Sequence, residues 1–169
     1  IFVMEFSKRS RKSTSSTCKN NTFNGPEGIV TYKNDVFFAT KGDNIIWRYN
    51  TKSNLLDKIY ELSTSENGIL KGVDNLCIDK FGNIFVAEDG GNMQIVVLLA
   101  KQNYRPKLLL TVENQPNSEI AGPAFHYVDE TTQKLFFSSQ RGFDGKSKGI
   151  TYEVTGNFHK LIENFESNM

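Results

Sequence analysis

Short apolar runs recur along this chain and are cut by turns rich in Gly, Asn and Asp at near-regular intervals. VFFAT at Val36 to Thr40, IFVAE at Ile84 to Glu88 and LFFSS at Leu135 to Ser139 are β-branched or aromatic and too short for helices, so each predicts a strand. Another run follows each of them: IIWRY from Ile45, QIVVLL from Gln94 and GITYEV from Gly149. A further one comes next, LLDKIYEL from Leu55 and PKLLLTV from Pro106, with FHKLIENF from Phe158 as the weaker third case. Ahead of each set stands a short strand opened by an acidic residue beside a small or polar one. These openings are Glu27-Gly28, Asp74-Asn75, and Glu119 ahead of Ala121-Gly122. Four strands per unit, repeating at about the length of one blade, predict an all-β chain built of β-propeller blades. The expected units are about three four-stranded antiparallel sheets of an incomplete propeller, at 25–65, 72–113 and 117–166. Residues 1–21, rich in Ser, Thr, Lys and Asn, read as a linker or N-terminal segment.

Alternation over Leu76, Ile78, Ile84 and Val86 gives the strands around Asp79–Asn83 one apolar face each. Asp79–Asn83 reads as a compact hairpin with Gly82 supplying positive φ, and Asp43-Asn44 and Asp129–Gln133 read as turns of the same kind. For any single polar residue at a hairpin end, turn chemistry is the plainer reading. The acids at the blade openings differ because they recur.

Lys and Arg nearly balance Asp and Glu, leaving a net charge of +1. That argues for neither nucleic acid nor an anionic membrane as partner. The longest apolar run, IVVLLA at Ile95 to Ala100, is far short of a membrane-spanning helix. Cys18 and Cys77 are too distant to suggest a disulfide framework or a zinc site and read as free buried thiols. IFVMEF at the start is followed by the basic SKRSRKS, the wrong order for a secretory signal. The chain therefore reads as a piece of something longer. Asn20-Asn21-Thr22 fits a glycosylation triplet of a kind common by chance. Propeller rings close at about four to eight blades, so three leave open edges that call for missing blades or a partner chain.

Oxygen-bearing side chains converging from several blades on one axis describe a calcium-type site, which takes 6–8 oxygens and accepts Asn. The candidate ligands are Glu27, Asp74, Asn75, Glu88, Asp89 and Glu119. Gathered without a cation, such carboxylates would repel one another. Gln140-Arg141 follow the second strand of the third unit, where Glu88-Asp89 stand in the second, and are weaker candidates for substrate contact. The basic, glycine-rich loop from Arg141 to Lys148 fits an anion over the ring face or an ordinary solvated loop. His126 and His159 read as structural. The sequence holds no Ser-His-Asp arrangement, phosphate-cradling glycine loop or zinc spacing.

Taken together, TFNGPEGIV, GDNIIWRY, VDNLCIDKFGNIFVAEDGG and SEIAGPAF…LFFSSQ…ITYEVTG resemble, in matching order, the later part of the PhoX-type alkaline phosphatases. The similarity runs from about Asn21 to Gly156 and rests on the combined PEG, DN, ED, SE-x-x-G and terminal Q elements. Members of that family are secreted or periplasmic β-propellers, dependent on calcium and iron, that hydrolyse phosphomonoesters. The resemblance implies export and a small phosphorylated substrate. It also implies that Glu27, Asp74, Glu88 and Glu119 are metal ligands or their neighbours, with Asn75, Asp89 and Gln140 beside them. The family's chains are several times longer, and their N-terminal blades close the ring and supply further ligands. QRGFDGKSKGITYEVTG also departs from the histidine- and proline-containing version common in the family. Two other readings fit the same residues. One is a non-catalytic, calcium-stabilised propeller scaffold, and the other is a lactonase-like propeller hydrolase with a central calcium.

Overall fold

The computed structural model describes residues 22–65, 68–90, 92–146 and 148–167. The expected N-terminal linker, Cys18 and Asn20 lie outside the described residues. Strands β1 (Pro26–Tyr32), β2 (Asp35–Thr40), β3 (Ile45–Asn50) and β4 (Leu55–Glu61) form one antiparallel sheet in chain order. A second sheet repeats the pattern with β5 (Val73–Ile78), β6 (Ile84–Glu88), β7 (Gln94–Leu99) and β8 (Arg105–Thr111). A third holds β9 (Ile120–Tyr127), β10 (Gln133–Ser139) and β11 (Ile150–Gly156), followed by helix α1 (Phe158–Ser167). The chain is thus all-β, with three antiparallel, blade-like sheets, called blades 1 to 3 below. Strands β1, β5 and β9 lead their blades, and β5 packs against both β1 and β9.

Two apolar cores hold the blades together, and blade 2 contributes to both. On one side Val86, Val96 and Leu98 share a core with Phe37, Ala39 and Ile46 of blade 1. On the other, Phe85, Ile95 and Val97 share a core with Leu135 and Phe137 of blade 3. A sheet covered on both faces needs apolar residues at every position, which is why β6 and β7 read IFVA and IVVLL rather than alternating. Blades 1 and 3 cover one face each, and β10 shows the resulting alternation of buried and partly buried positions. Burying one such large side chain contributes about 1.5–3 kcal/mol, so these two seams dominate cohesion.

The third blade corrects one expectation: FHKLIENF is not a fourth strand but the start of α1. Phe158, Ile162 and Phe165 fall at helical spacing, and all three pack on the core between blades 2 and 3. Asn157 caps the helix by accepting a 2.9 Å bond from the Lys160 amide on its Oδ1.

Each leading strand carries a bulge. Glu27-Gly28 on β1 stand opposite Ala39 alone, between the Pro26–Thr40 and Ile29–Phe38 pairs. Asp74-Asn75 on β5 stand opposite Ala87, and Gly122-Pro123 on β9 opposite Phe137. A bulge bends the strand and re-aims its side chains, here at the opening of every blade. The seam between blades 1 and 2 is tight at Gly28. A Cβ there would lie 2.5 Å from the Asp74 carbonyl oxygen and 2.6 Å from the Leu76 nitrogen. Gly28→Ala therefore forces two backbones apart, and denaturant unfolding should show a loss of about 2 kcal/mol or more. Gly156→Ala, whose new methyl meets open space, should stay within about 0.5 kcal/mol of the parent. Equal, small effects at the two positions would show that the seam is not closed at Gly28.

Candidate functional site

Three equivalent backbone bonds fix the geometry of the blade openings. The amide of Lys41 donates to the Gly25 carbonyl at 2.8 Å, Asp89 to Gly72 at 2.8 Å, and Gln140 to Glu119 at 3.0 Å. Lys41, Asp89 and Gln140 therefore occupy one structural position, just after the second strand of each blade. Counting from the acceptors, Glu27, Asp74 and Ala121 are equivalent, as are Gly28, Asn75 and Gly122. Glu119 sits two residues earlier, level with Gly25 and Gly72. The openings adjoin in space: Gly28 lies on the Asp74–Leu76 backbone, and Asn75 Oδ1 accepts a 3.4 Å bond from the Gly122 amide. The leading ends of the three blades thus form one continuous corner.

Within that corner Asp74, Asn75 and Asp89 come together. The Lys41 ammonium reaches across from blade 1, 3.9 Å from Asp74 Oδ2 and in direct ion-pair contact with Asp89. Asn75 Nδ2 donates to Asp74 Oδ1 at 2.5 Å. Glu119 does not join them, since its carboxylate faces Arg141 at 3.6 Å. Glu27 and Gln140 are exposed. Glu88 points inward and is fully buried. It bridges two strand approaches, Oε1 accepting from the Lys71 amide at 2.7 Å and Oε2 from the Gln94 amide at 3.2 Å. Burial pushes the Glu88 carboxyl up to about 7, against the pull of those two amides and of the Lys71 charge. Among the described residues, no three His, Cys, Asp or Glu side chains are grouped to hold a metal ion.

Glu88 is one of a series. Thr40, Glu88 and Ser139 end the second strands, and all are fully buried polar residues. Thr40 Oγ1 contacts Asp43 and accepts from Trp47 Nε1 at 3.0 Å, while Ser139 Oγ lies 2.7 Å from Ser118 Oγ. Beside Glu88 a cleft of about 520 Å³ opens between the Gly68–Gly72 stretch and Asp89, Gly90 and Gln94. Gln94 Oε1 is buried there without a hydrogen-bond partner.

Sequence reasoning missed two side chains that organise the corner. One is Lys41, which an alignment of Thr40-Lys41 under Glu88-Asp89 would have flagged as a cation at an acidic position. The other is Asn44, read only as a turn residue; its Oδ1 accepts the Gly72 amide at 2.5 Å and ties blade 1 to blade 2. Asp79 bonds the Phe81 and Asn83 amides of its own hairpin, and Asp129 those of Thr131 and Thr132. The Cys77 thiol is free and buried, pushed up to about 12 by burial and then by the Asp79 charge. No family model, curated protein or solved structure matches this chain.

Glu88 gives stability a particular pH dependence. Its folded value near 7 stands above the ordinary 4.5, so between those values the folded chain holds a proton that the unfolded chain has released. The contribution is fully present below about 4.5 and is lost as pH rises through about 7. Compared with Glu88→Gln, the parent should lose on the order of 2–3 kcal/mol between pH 4.5 and 8. Denaturation midpoints of both proteins across that range check this. Parallel profiles would mean that Glu88 is ionised throughout.

Proposed function

We propose that this chain forms three consecutive blades of a metal-dependent propeller phosphatase of the PhoX type, with the corner at the blade openings as part of its phosphate-binding face. The observation that carries the reading is the meeting of Glu27-Gly28, Asp74-Asn75 and Gly122-Pro123 at adjoining bulges. These are the elements on which the family resemblance rests, and bulges are over-represented beside active sites. Calcium, with iron beside it, belongs at such a corner in this reading. The described residues do not complete a shell for it. Asp74, Asn75 and Asp89 offer side-chain oxygens at one point, fewer than the 6–8 a calcium ion takes, and the Lys41 ammonium is already on the two carboxylates. No catalytic step is therefore assigned to these residues. Their share is binding: Lys41 and Arg141 are the cations at the corner suited to a phosphoryl oxygen. Export from the cytoplasm belongs to this reading as well.

A second reading, a non-catalytic scaffold, is favoured by one specific observation. Asp74, Asp89, Glu119 and Glu88 all have partners within the chain, so the fold satisfies these acids without any metal.

Thermal unfolding in EDTA, followed by calcium addition, separates the two. The phosphatase reading expects calcium to displace Lys41 and raise Tm by about 4 °C or more. It also expects Asp74→Asn to abolish the rise, and an aryl phosphate to be hydrolysed when calcium and iron are present. No hydrolysis of the aryl phosphate would favour the scaffold: the calcium-stabilised form of it if calcium still raises Tm, and one held by its own ion pairs if Tm is indifferent to calcium. Turnover of a lactone instead would sink both.

A further inference from the structure

Each blade turns one face back along the chain and one forward, and the strand register fixes which residues share a face. In blade 2 the back face carries Ile84, Val86, Val96 and Leu98, since Ile84 pairs with Leu98 and Val86 with Val96. All four are fully buried in the core shared with blade 1. The corresponding residues of blade 3 are Leu135, Phe137, Tyr152 and Val154, packed in the core shared with blade 2. Position for position, blade 1 carries Val36, Phe38, Trp47 and Tyr49. Among the described residues no sheet covers them. They are only partly buried, and Ile29 on the same face is 64% exposed where its equivalent, Leu76, is 8% exposed.

The correspondence extends to ring geometry. Phe137 and Tyr152 stack at 5.3 Å with 25° between planes, and Phe38 and Trp47 stack at 6.2 Å with 14°. In blade 3 that pair belongs to the core formed with Ala87, Ile95 and Val97 on the front of blade 2. In blade 1 it is met by Phe23, edge-on to both rings at 4.9 and 5.4 Å. The forward face of blade 3 is different in kind. Phe136 is its one aromatic residue on β10, set among polar groups that satisfy one another: Lys134 pairs with Glu153 at 2.7 Å and Ser138 bonds Thr151 at 2.9 Å.

We propose that the back face of blade 1 is a docking face for one further antiparallel blade, which presents small and aliphatic side chains in the manner of Ala87, Ile95 and Val97. The argument is continuity with an established interface: the same face, carrying the same stacked ring pair, is already seated on such a surface one blade pair further along. A second copy of this chain does not supply that surface, because its forward end is the polar face of blade 3. Two back faces set against each other would bring ring pair against ring pair. The inference stands on strand register and is independent of the phosphatase reading.

Trp47 is the chain's single tryptophan and lies at the centre of the proposed face, so its fluorescence reports the docking directly. The experiment compares the full chain with a version carrying a copy of residues 72–117 ahead of it, and with a second version carrying a copy of 25–71. The expected result is a blue-shifted Trp47 emission and severalfold weaker acrylamide quenching in at least one extended chain, reversed by Ile29→Lys. Trp47 as quenchable in both extended chains as in the parent would overturn the proposal. So would quenching that weakens with concentration in the parent alongside a dimer mass in sedimentation, since a second copy would then be the occupant.

Discussion

The burial of blade 2 on both faces is the interaction on which the rest of this structure depends. Val96 and Leu98 point one way along β7 and Ile95, Val97 and Leu99 the other, and all five are fully buried. A strand that alternates can serve one neighbour; one that is apolar throughout can serve two. Neither blade 1 nor blade 3 could be placed without it, because among the described residues each finds its sheet-to-sheet packing on blade 2. The blade openings inherit their positions from this arrangement. Once the two seams are closed, β1, β5 and β9 lie side by side, and their bulges meet at one corner.

The electrostatics of that corner follow from where the seams put charge. Lys41 belongs to blade 1, but the seam delivers its ammonium to Asp74 and Asp89 of blade 2. Such a partly exposed ion pair contributes little to stability. Its consequence is functional, since any cation seeking those carboxylates competes with an ammonium already in place. Arg141 against Glu119 has the same effect in blade 3. Each of these cations is already held by carboxylates of the chain, so ligand exchange there is a replacement rather than a simple addition.

The strand runs were legible in the sequence because period-two alternation and turn residues are local signals. The IVVLL run was weighed only against the length of a membrane span. The expectation of one apolar face on the strand from Ile84 fails because every residue of β6 is buried between two neighbouring blades. FHKLIENF misled because a short apolar run does not declare its period, and the repeat suggested a strand where Asn157 and the Phe158–Ile162–Phe165 spacing make a helix. The acids were found by recurrence, but their fates were not. Glu88 and Asp89 are adjacent in sequence, yet the parity of β6 turns one into the protein and the other toward Lys41. Lys41 could be found only by aligning one blade on another, and Asn44 not even so, because both act across a seam between blades and no local pattern encodes that reach.

The buried polar series at the strand ends shows how the sandwiched blade differs from its neighbours. Thr40 and Ser139 place a neutral hydroxyl at a position where blade 2 places a carboxyl. A hydroxyl can be satisfied by a nearby side chain, as Thr40 is by Asp43 and Ser139 by Ser118. A carboxylate takes two donors, and Glu88 finds them in the Lys71 and Gln94 amides, one on the approach to β5 and one at the start of β7. Those same residues line the cleft beside it. Glu88 thus converts a desolvation cost into a fixed spacing between two stretches of backbone. An amide at this position would keep one of those bonds and lose the other, whereas an alanine would leave both Lys71 and Gln94 donating to nothing. The geometry of the cleft wall thus rests on both oxygens of this one buried acid.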